Sequence, residues 1–168
     1  MANSTEEKKH WFRRVVVELQ SPLVRYSRKI TGNLESSREI VQDSFLKLWR
    51  ERHEELVEHA KPWLYRVCRN ASIDYKRREV GMEAFSEETM FSTESYPEDQ
   101  VLKMEVYKRI SQMSAKHREV LILKFQEGMS YKEISDVTGH SVSNVGHLIH
   151  HALKELKGQL SKEEVSNE

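Results

Sequence analysis

Between Lys61 and Arg78 the stretch KPWLYRVCRNASIDYKRR gathers the side chains that single-stranded nucleic acid needs. Trp63, Arg66, Asn70, Ile73 and Arg77 recur at helical spacing, with Arg69, Lys76 and Arg78 beside them. Arginines hold phosphates, an aromatic ring takes an unstacked base, and an asparagine amide reads a base edge. From Lys61 to Val80 six basic residues stand against two acidic ones, a local charge of +4. Leu64, Val67, Cys68, Ala71 and Tyr75 make an apolar stripe on another face, and Pro62 suits a first helical turn, where its missing N–H has no partner to lose. The same features fit an amphipathic core helix whose arginines are only solvated, and this stretch alone leaves both readings open.

A second group of residues points to duplex DNA. Tyr131 to Val137 reads as a short helix, Thr138-Gly139-His140 as a tight turn, and Ser141 as the cap of a last helix through Lys157. Ile134 and Val137 would pack on Val145 and Ile149, with Ala152, Leu153 and Leu156 continuing the buried face. That packing holds the second helix proud of the domain, so its first turns can enter a major groove. Ser143, Asn144 and His147 then face base edges, and Asn binds adenine through two hydrogen bonds. Ser141 and the first N–H groups suit a phosphate. A plain antiparallel helical pair is the alternative. His147 and His151, with His150 and Glu155, also have the i, i+4 spacing of metal ligands, but the groove-facing role already accounts for them and no cysteine is near. No metal or cofactor is expected.

No Ser-His-Asp set, glycine-rich phosphate loop or paired carboxylate stands out, so no catalytic site and no enzyme is expected. Cys68, the single cysteine, excludes an internal disulfide framework and lies on the apolar stripe as an inert buried thiol. Net charge over the 168 residues is zero, 27 basic against 27 acidic, which hides an uneven distribution. From Glu83 to Glu105 seven acidic residues face one basic one, a net of −6 directly after the basic helix. No apolar run approaches the roughly 20 residues that span a bilayer, and the N-terminus lacks the apolar core of a signal peptide. A soluble, cytoplasmic protein without membrane insertion is expected.

The elements that must position these residues are helices. Gly and Pro are few, β-branched alternation is nearly absent, and the fold class is all-α: two small helical domains joined by a flexible acidic linker. Trp11 to Gln20 reads as one helix, Ser21-Pro22 as the start of a second through Ile30, and Thr31-Gly32-Asn33 as its end. Glu35 to Arg52 buries Ile40, Val41, Ser44, Phe45 and Leu48. Its other side carries Gln42, Asp43, Leu46 and Trp49, and a large Trp beside a Leu on an open face points to a protein partner. Packing of both on the N-terminal helix is the alternative. After Arg78 a Ser-, Thr- and Glu-rich segment runs to Pro97. Residues 8–79 are therefore expected as one domain, 80–97 as the acidic linker and 98–160 as the second domain. In the second, Val101, Leu102, Tyr107 and Ile110 belong to one helix. Ser114 caps the next, which carries Val120, Leu121, Leu123 and Phe125, and Gly128 breaks the pattern.

With these features in order, the chain resembles the extracytoplasmic-function sigma factors of bacterial RNA polymerase. The resemblance rests on REIVQDSFLKLWR (38–50), KPWLYRVCRNASIDYKRR (61–78), HREVLILKFQEGMSYKEISDVTG (117–139) and SVSNVGHLIHHALKELK (141–157). It implies a transcription initiation factor that binds core RNA polymerase at the largest-subunit clamp and flap and binds promoter DNA, with an anti-sigma factor as a further partner. In that family the helix matching 38–50 docks on the clamp, which implies Gln42, Asp43, Leu46 and Trp49 as the contact. The helix matching 61–78 recognises and melts the minus-10 element and captures a flipped base near Asn70, with Trp63, Arg66, Arg69, Lys76 and Arg77 for stacking and phosphates. The helix-turn-helix reads the minus-35 element through Ser141, Ser143, Asn144, His147 and His151. The acidic linker is similar to the family's interdomain segment at the RNA-exit region. Two departures stand out: Gly146, Leu148 and His151 occupy positions where the family commonly has basic residues, and Met113-Ser114 stands where Leu-Pro often opens a helix. A stand-alone helix-turn-helix regulator is the competing reading.

Overall fold

Long stretches of helical periodicity with few breakers give a succession of helices and, among the described residues, no strand. The computed structural model describes residues 2–51, 53–86 and 101–166. Its α-helices are α1 (Ala2–Thr31), α2 (Leu34–Arg50), α3 (His53–Leu56), α4 (Ala60–Val80), α5 (Val101–Ser111), α6 (Ala115–Leu121), α7 (Tyr131–Thr138) and α8 (Val142–Ser166), with a π turn at Ile122–Gln126. They fall into two units, one holding α1–α4 and the other α5–α8. Of the expected linker, residues 81–86 form turns after α4, and 87–97 lie outside the described residues.

In the first unit α1, α2 and α4 pack on one another pairwise. The break expected at Ser21-Pro22 does not occur, and α1 runs through Pro22 without interruption. A proline inside a helix costs about 3 kcal/mol. Leu23, the next residue, and Tyr26 and Ile30, one and two turns further on, are all completely buried, and each stabilises the fold by about 2 kcal/mol. Packing therefore outweighs the lost hydrogen bond. The corner after α1 closes as expected: Gly32 has φ 71°, its N–H donates to Arg28 O at 2.8 Å, and Asn33 Oδ1 accepts from Ser36 N at 2.9 Å. Inside the corner the Thr31 and Ser37 hydroxyls are 2.7 Å apart.

The buried face of α4 is Leu64, Tyr65, Cys68 and Ser72, reached by Ala60 and Pro62 in its first turn. This corrects the predicted stripe: Val67, Ala71 and Tyr75 are only half-buried. Tyr65 and Tyr26 are both fully buried, with ring centroids 5.1 Å apart. Ser72 completes this face as a fully buried polar residue.

The second unit packs α6 and α7 on α8, with α5 against α6 and α8. Met113, Leu121 and Ala152 form a buried cluster, with Ile110 and Leu156 packed against it. Met113 thus fills the apolar place of the usual Leu. Ser114 caps α6 by accepting from His117 N at 3.4 Å. Val120, Leu121, Ile122 and Leu123 are buried in succession. The buried run starts in α6 with Arg118 and Glu119 and passes into the π turn, where Glu127 N donates to Ile122 O at 3.0 Å. Leu153, expected in the core, is exposed at 41%, and Phe125, within the π turn, is exposed at 62%. The last helix also continues past Lys157 to Ser166.

Burial raises the Cys68 thiol from its ordinary 9.0 to about 11, and the polar Ser44 and Ser27 side chains and the Lys47 charge act the other way. A raised folded-state pKa means that folding disfavours the thiolate. The stabilisation is complete below the unfolded value near 9.0 and is lost as pH rises towards 11, at most about 2–3 kcal/mol for the shift. Ellman's reagent should leave native Cys68 unmodified at pH 8 and label it on denaturation. Cys68→Ala should flatten the decline in stability between pH 9 and 11 measured by urea unfolding. Rapid labelling of the folded protein would place the thiol outside the core.

Candidate nucleic-acid interface

Helix α4 turns Trp63, Arg66, Asn70, Ile73 and Arg77 onto the face opposite its buried one. Arg66 and Asn70 are exposed, while Trp63, Arg69, Ile73, Lys76 and Arg77 are half-buried. The helix starts at His59, whose carbonyl accepts from Trp63 N at 3.1 Å, so Trp63 stands on the first turn beside Pro62. Basic groups at the far end are held by acidic neighbours: Lys76 Nζ is 3.4 Å from Glu79 Oε2, and Arg77 Nη1 is 3.6 Å from Asp74 Oδ1. Both pairs are surface pairs of small worth, and an arriving phosphate can exchange with them. One residue was missed by reading the sequence. Phe85, in the turn beyond α4, lies with its ring centroid 4.9 Å from the Arg77 guanidinium carbon.

In the second unit the helix-turn-helix geometry is built by local hydrogen bonds. Ser130 and Glu133 form a reciprocal capping box at α7: Ser130 Oγ accepts from Glu133 N at 3.1 Å, and Ser130 N donates to Glu133 Oε2 at 2.8 Å. Gly139 ends α7 in the left-handed region at φ 80°, its N–H donating to Ser135 O at 2.9 Å. The Ser135 hydroxyl crosses the turn to His140 O at 2.7 Å. Ser141 opens α8, its hydroxyl accepting from Asn144 N at 3.1 Å. Ile134, Val137, Val145 and Ile149 are all buried between α7 and α8. That leaves Ser141, Ser143, Asn144, His147 and His151 together on the open side, every one of them exposed.

Gly146, half-buried on α8, faces the Tyr131 ring of α7. A Cβ there would sit 3.5 Å from the Tyr131 ring, and that ring also carries Lys124 Nζ at 5.2 Å. A tyrosine backed by a lysine therefore occupies the flank of α8 where a long basic side chain would lie. Of the histidine-rich group, Glu155 is engaged by His117, Oε2 to Nδ1 at 3.0 Å, and the His150 and His151 rings meet edge to face. Among the described residues no three His, Cys, Asp or Glu side chains are grouped to hold a metal ion.

A third surface belongs to α2. Gln42, Asp43 and Leu46 are exposed, Leu46 by 50%. Trp49 is 37% exposed, with the rest of its ring against Phe12 of α1 at 5.1 Å and Lys8 Nζ at 5.1 Å from its centroid. Trp49 thus packs in part on α1, as the alternative reading has it, and leaves the rest of its surface to solvent. A groove between α1 and α2 has Phe12, Val16, Phe45 and Leu46 in its lining, with Arg25, Arg38 and Gln42 among them. Val17, next to it on α1, is 79% exposed. The run Val15-Val16-Val17 carried this signal in the sequence.

A helix-turn-helix in one unit and a basic aromatic helix in the other define a DNA-binding protein of transcription. Sigma-70 region 2 matches residues 15–80 and Sigma-70 region 4 matches residues 103–156. The chain belongs to the sigma-70 family, in its extracytoplasmic-function group, and is a promoter-specific transcription initiation factor. It is 25% identical over 155 residues to RNA polymerase sigma factor SigV of Bacillus subtilis, covering 90% of this chain and 92% of the relative. To the sigma factor SigM of the same organism it is 28% identical over 138 residues, covering 79% and 85%. The sigma factor RpoE, solved in complex with the anti-sigma factor NepR from Bartonella quintana, shares the fold with a TM-score of 0.64 at 21% identity, covering 89% of this chain and 96% of that one. No described helix is long and apolar enough to cross a membrane.

Proposed function

We propose that this chain binds core RNA polymerase through Gln42, Asp43, Leu46 and Trp49 and carries it to one class of promoter. Residues 8–79 act as the region 2 domain, 80–97 as the acidic linker and 98–160 as the region 4 domain. In the duplex, Ser143, Asn144 and His147 meet base edges of the minus-35 element, while Ser141 and His151 flank them at phosphates. At the minus-10 element α4 holds the displaced strand. Trp63 stacks, Asn70 reads a flipped base, and Arg66, Arg69, Lys76 and Arg77 neutralise phosphates. The protein performs no chemistry of its own, acts in the cytoplasm, and is held in check by an anti-sigma factor, the kind of partner present in two solved structures of similar fold.

The observation that carries this reading is the pairing of two exposed surfaces in one sigma-type chain: the open face of α4 and the open face of α8. A stand-alone helix-turn-helix regulator needs only the second, and it leaves the region 2 match and the Leu46–Trp49 surface without a role. Co-purification with core polymerase separates the two, followed by run-off transcription from a promoter library.

Trp49→Ala should weaken binding to core polymerase by about 2 kcal/mol, since it removes a large apolar anchor, with helical content nearly unchanged. Undiminished affinity would remove Trp49 from the contact. On the preferred promoter Asn144→Ala should cost roughly 1–3 kcal/mol and relax the preference at one base pair. A uniform loss over all sequences would make Asn144 a phosphate contact instead.

A further inference from the structure

The end of α4 holds a feature that the established family regions leave unassigned. The helix stops at Val80, and Gly81 takes φ 84°, a backbone conformation that L side chains rarely adopt. The chain turns back at once, and Phe85 N donates to Gly81 O at 3.2 Å. This turn sets the Phe85 ring over Arg77, 4.9 Å from the guanidinium carbon. Phe85 is only half-buried, so part of its ring faces solvent. Met82 in the same turn is 81% exposed, the most open large apolar side chain in the described residues. Asp74 Oδ1 also lies 3.6 Å from Arg77 Nη1.

Phe85 is half-buried and stands beside a cation, at the end of a row that runs Trp63, Arg66, Asn70, Ile73, Arg77 along the helix. We propose that Phe85 and Arg77 form a stacking platform for one unpaired base of single-stranded DNA. The ring takes the base face, the guanidinium takes the adjoining phosphate, and Met82 can close over the outer edge. Arg77 lies two helical turns beyond Asn70, about 10 Å along the axis, so the base it serves is a neighbour of the one at Asn70. The turn would then extend the minus-10 contact beyond the helix. Sequence preference at this base would be weak, because every base has a π face.

The inference rests on the melting reading of α4, and the test separates the two. The full chain is titrated with a labelled DNA strand of roughly twelve nucleotides of randomised sequence, and with an abasic strand of equal length, at several salt concentrations. The parent should prefer the base-bearing strand. Phe85→Ala should bind that strand about tenfold more weakly, with unchanged affinity for the abasic strand and an unchanged salt slope, because no phosphate contact is lost. Phe85→Trp should keep the preference. Arg77→Ala should reduce the salt slope by about 0.7. If Phe85→Ala matches the parent or binds more tightly while the parent still prefers bases, the platform is wrong and the ring is a cover over Arg77. A parent that shows no preference for bases sinks the melting reading and the platform together.

Discussion

Helix α4 must lose one face completely to the protein and keep the opposite face in water. The contact that fixes this division is Tyr65 against Tyr26, two fully buried rings 5.1 Å apart. Aromatic pairs of this kind add about 0.5–1.5 kcal/mol beyond the area they bury, and they set rotation about the helix axis as well as distance. With Tyr65 turned inward and Leu64, Cys68 and Ser72 beside it, Arg66 and Asn70 have no choice but to face out. Ser72 on α4 and Ser44 on α2 are buried with the two rings. The chemistry of the nucleic-acid face is thus a by-product of how its back is packed.

The second unit reaches the same end by different means. Its recognition helix is short on basic residues, and its placement depends on turn geometry rather than on one large contact. The capping box at Ser130, the left-handed Gly139 and the Ser135 hydroxyl across the turn satisfy the orphan polar groups at both ends of α7. Each contributes only about 1 kcal/mol, but together they leave α7 little freedom to tilt on α8. Tyr131 then fills the space that Gly146 leaves open. The open face of α8 presents amide, hydroxyl and imidazole groups, with the Tyr131 ring beside Gly146. In the proposed duplex contact such a surface discriminates by shape and hydrogen bonding more than by charge, and its affinity falls less steeply with salt.

Much of this was legible in the amino-acid sequence, because helical periodicity, caps and a glycine turn are local signals. The open residues of α4 and α8 could be read off because polar side chains at fixed spacing have few other places to go. What could not be read depends on contacts distant along the chain. The uninterrupted α1 needed knowledge that Leu23, Tyr26 and Ile30 are buried deeply enough to outweigh Pro22. The burial of Tyr65 in preference to Tyr75 is decided by Tyr26, some forty residues earlier. Trp49 packs in part on α1 because Phe12 meets its ring. Phe85 carries no periodic signal, since it lies in a turn, and only the reversal at Gly81 brings it back to Arg77.

The π turn at Ile122–Gln126 has a consequence for heredity. A π turn holds one residue more than the α turn it replaces, so it is a place where a codon can be lost and the chain can relax into ordinary helix with its flanks in step. The same loss within the first turns of α8 would rotate every later side chain by about 100°, carrying Val145 and Ile149 out of the core. Within one small domain, a length mutation is tolerable at one site and ruinous some twenty residues further on.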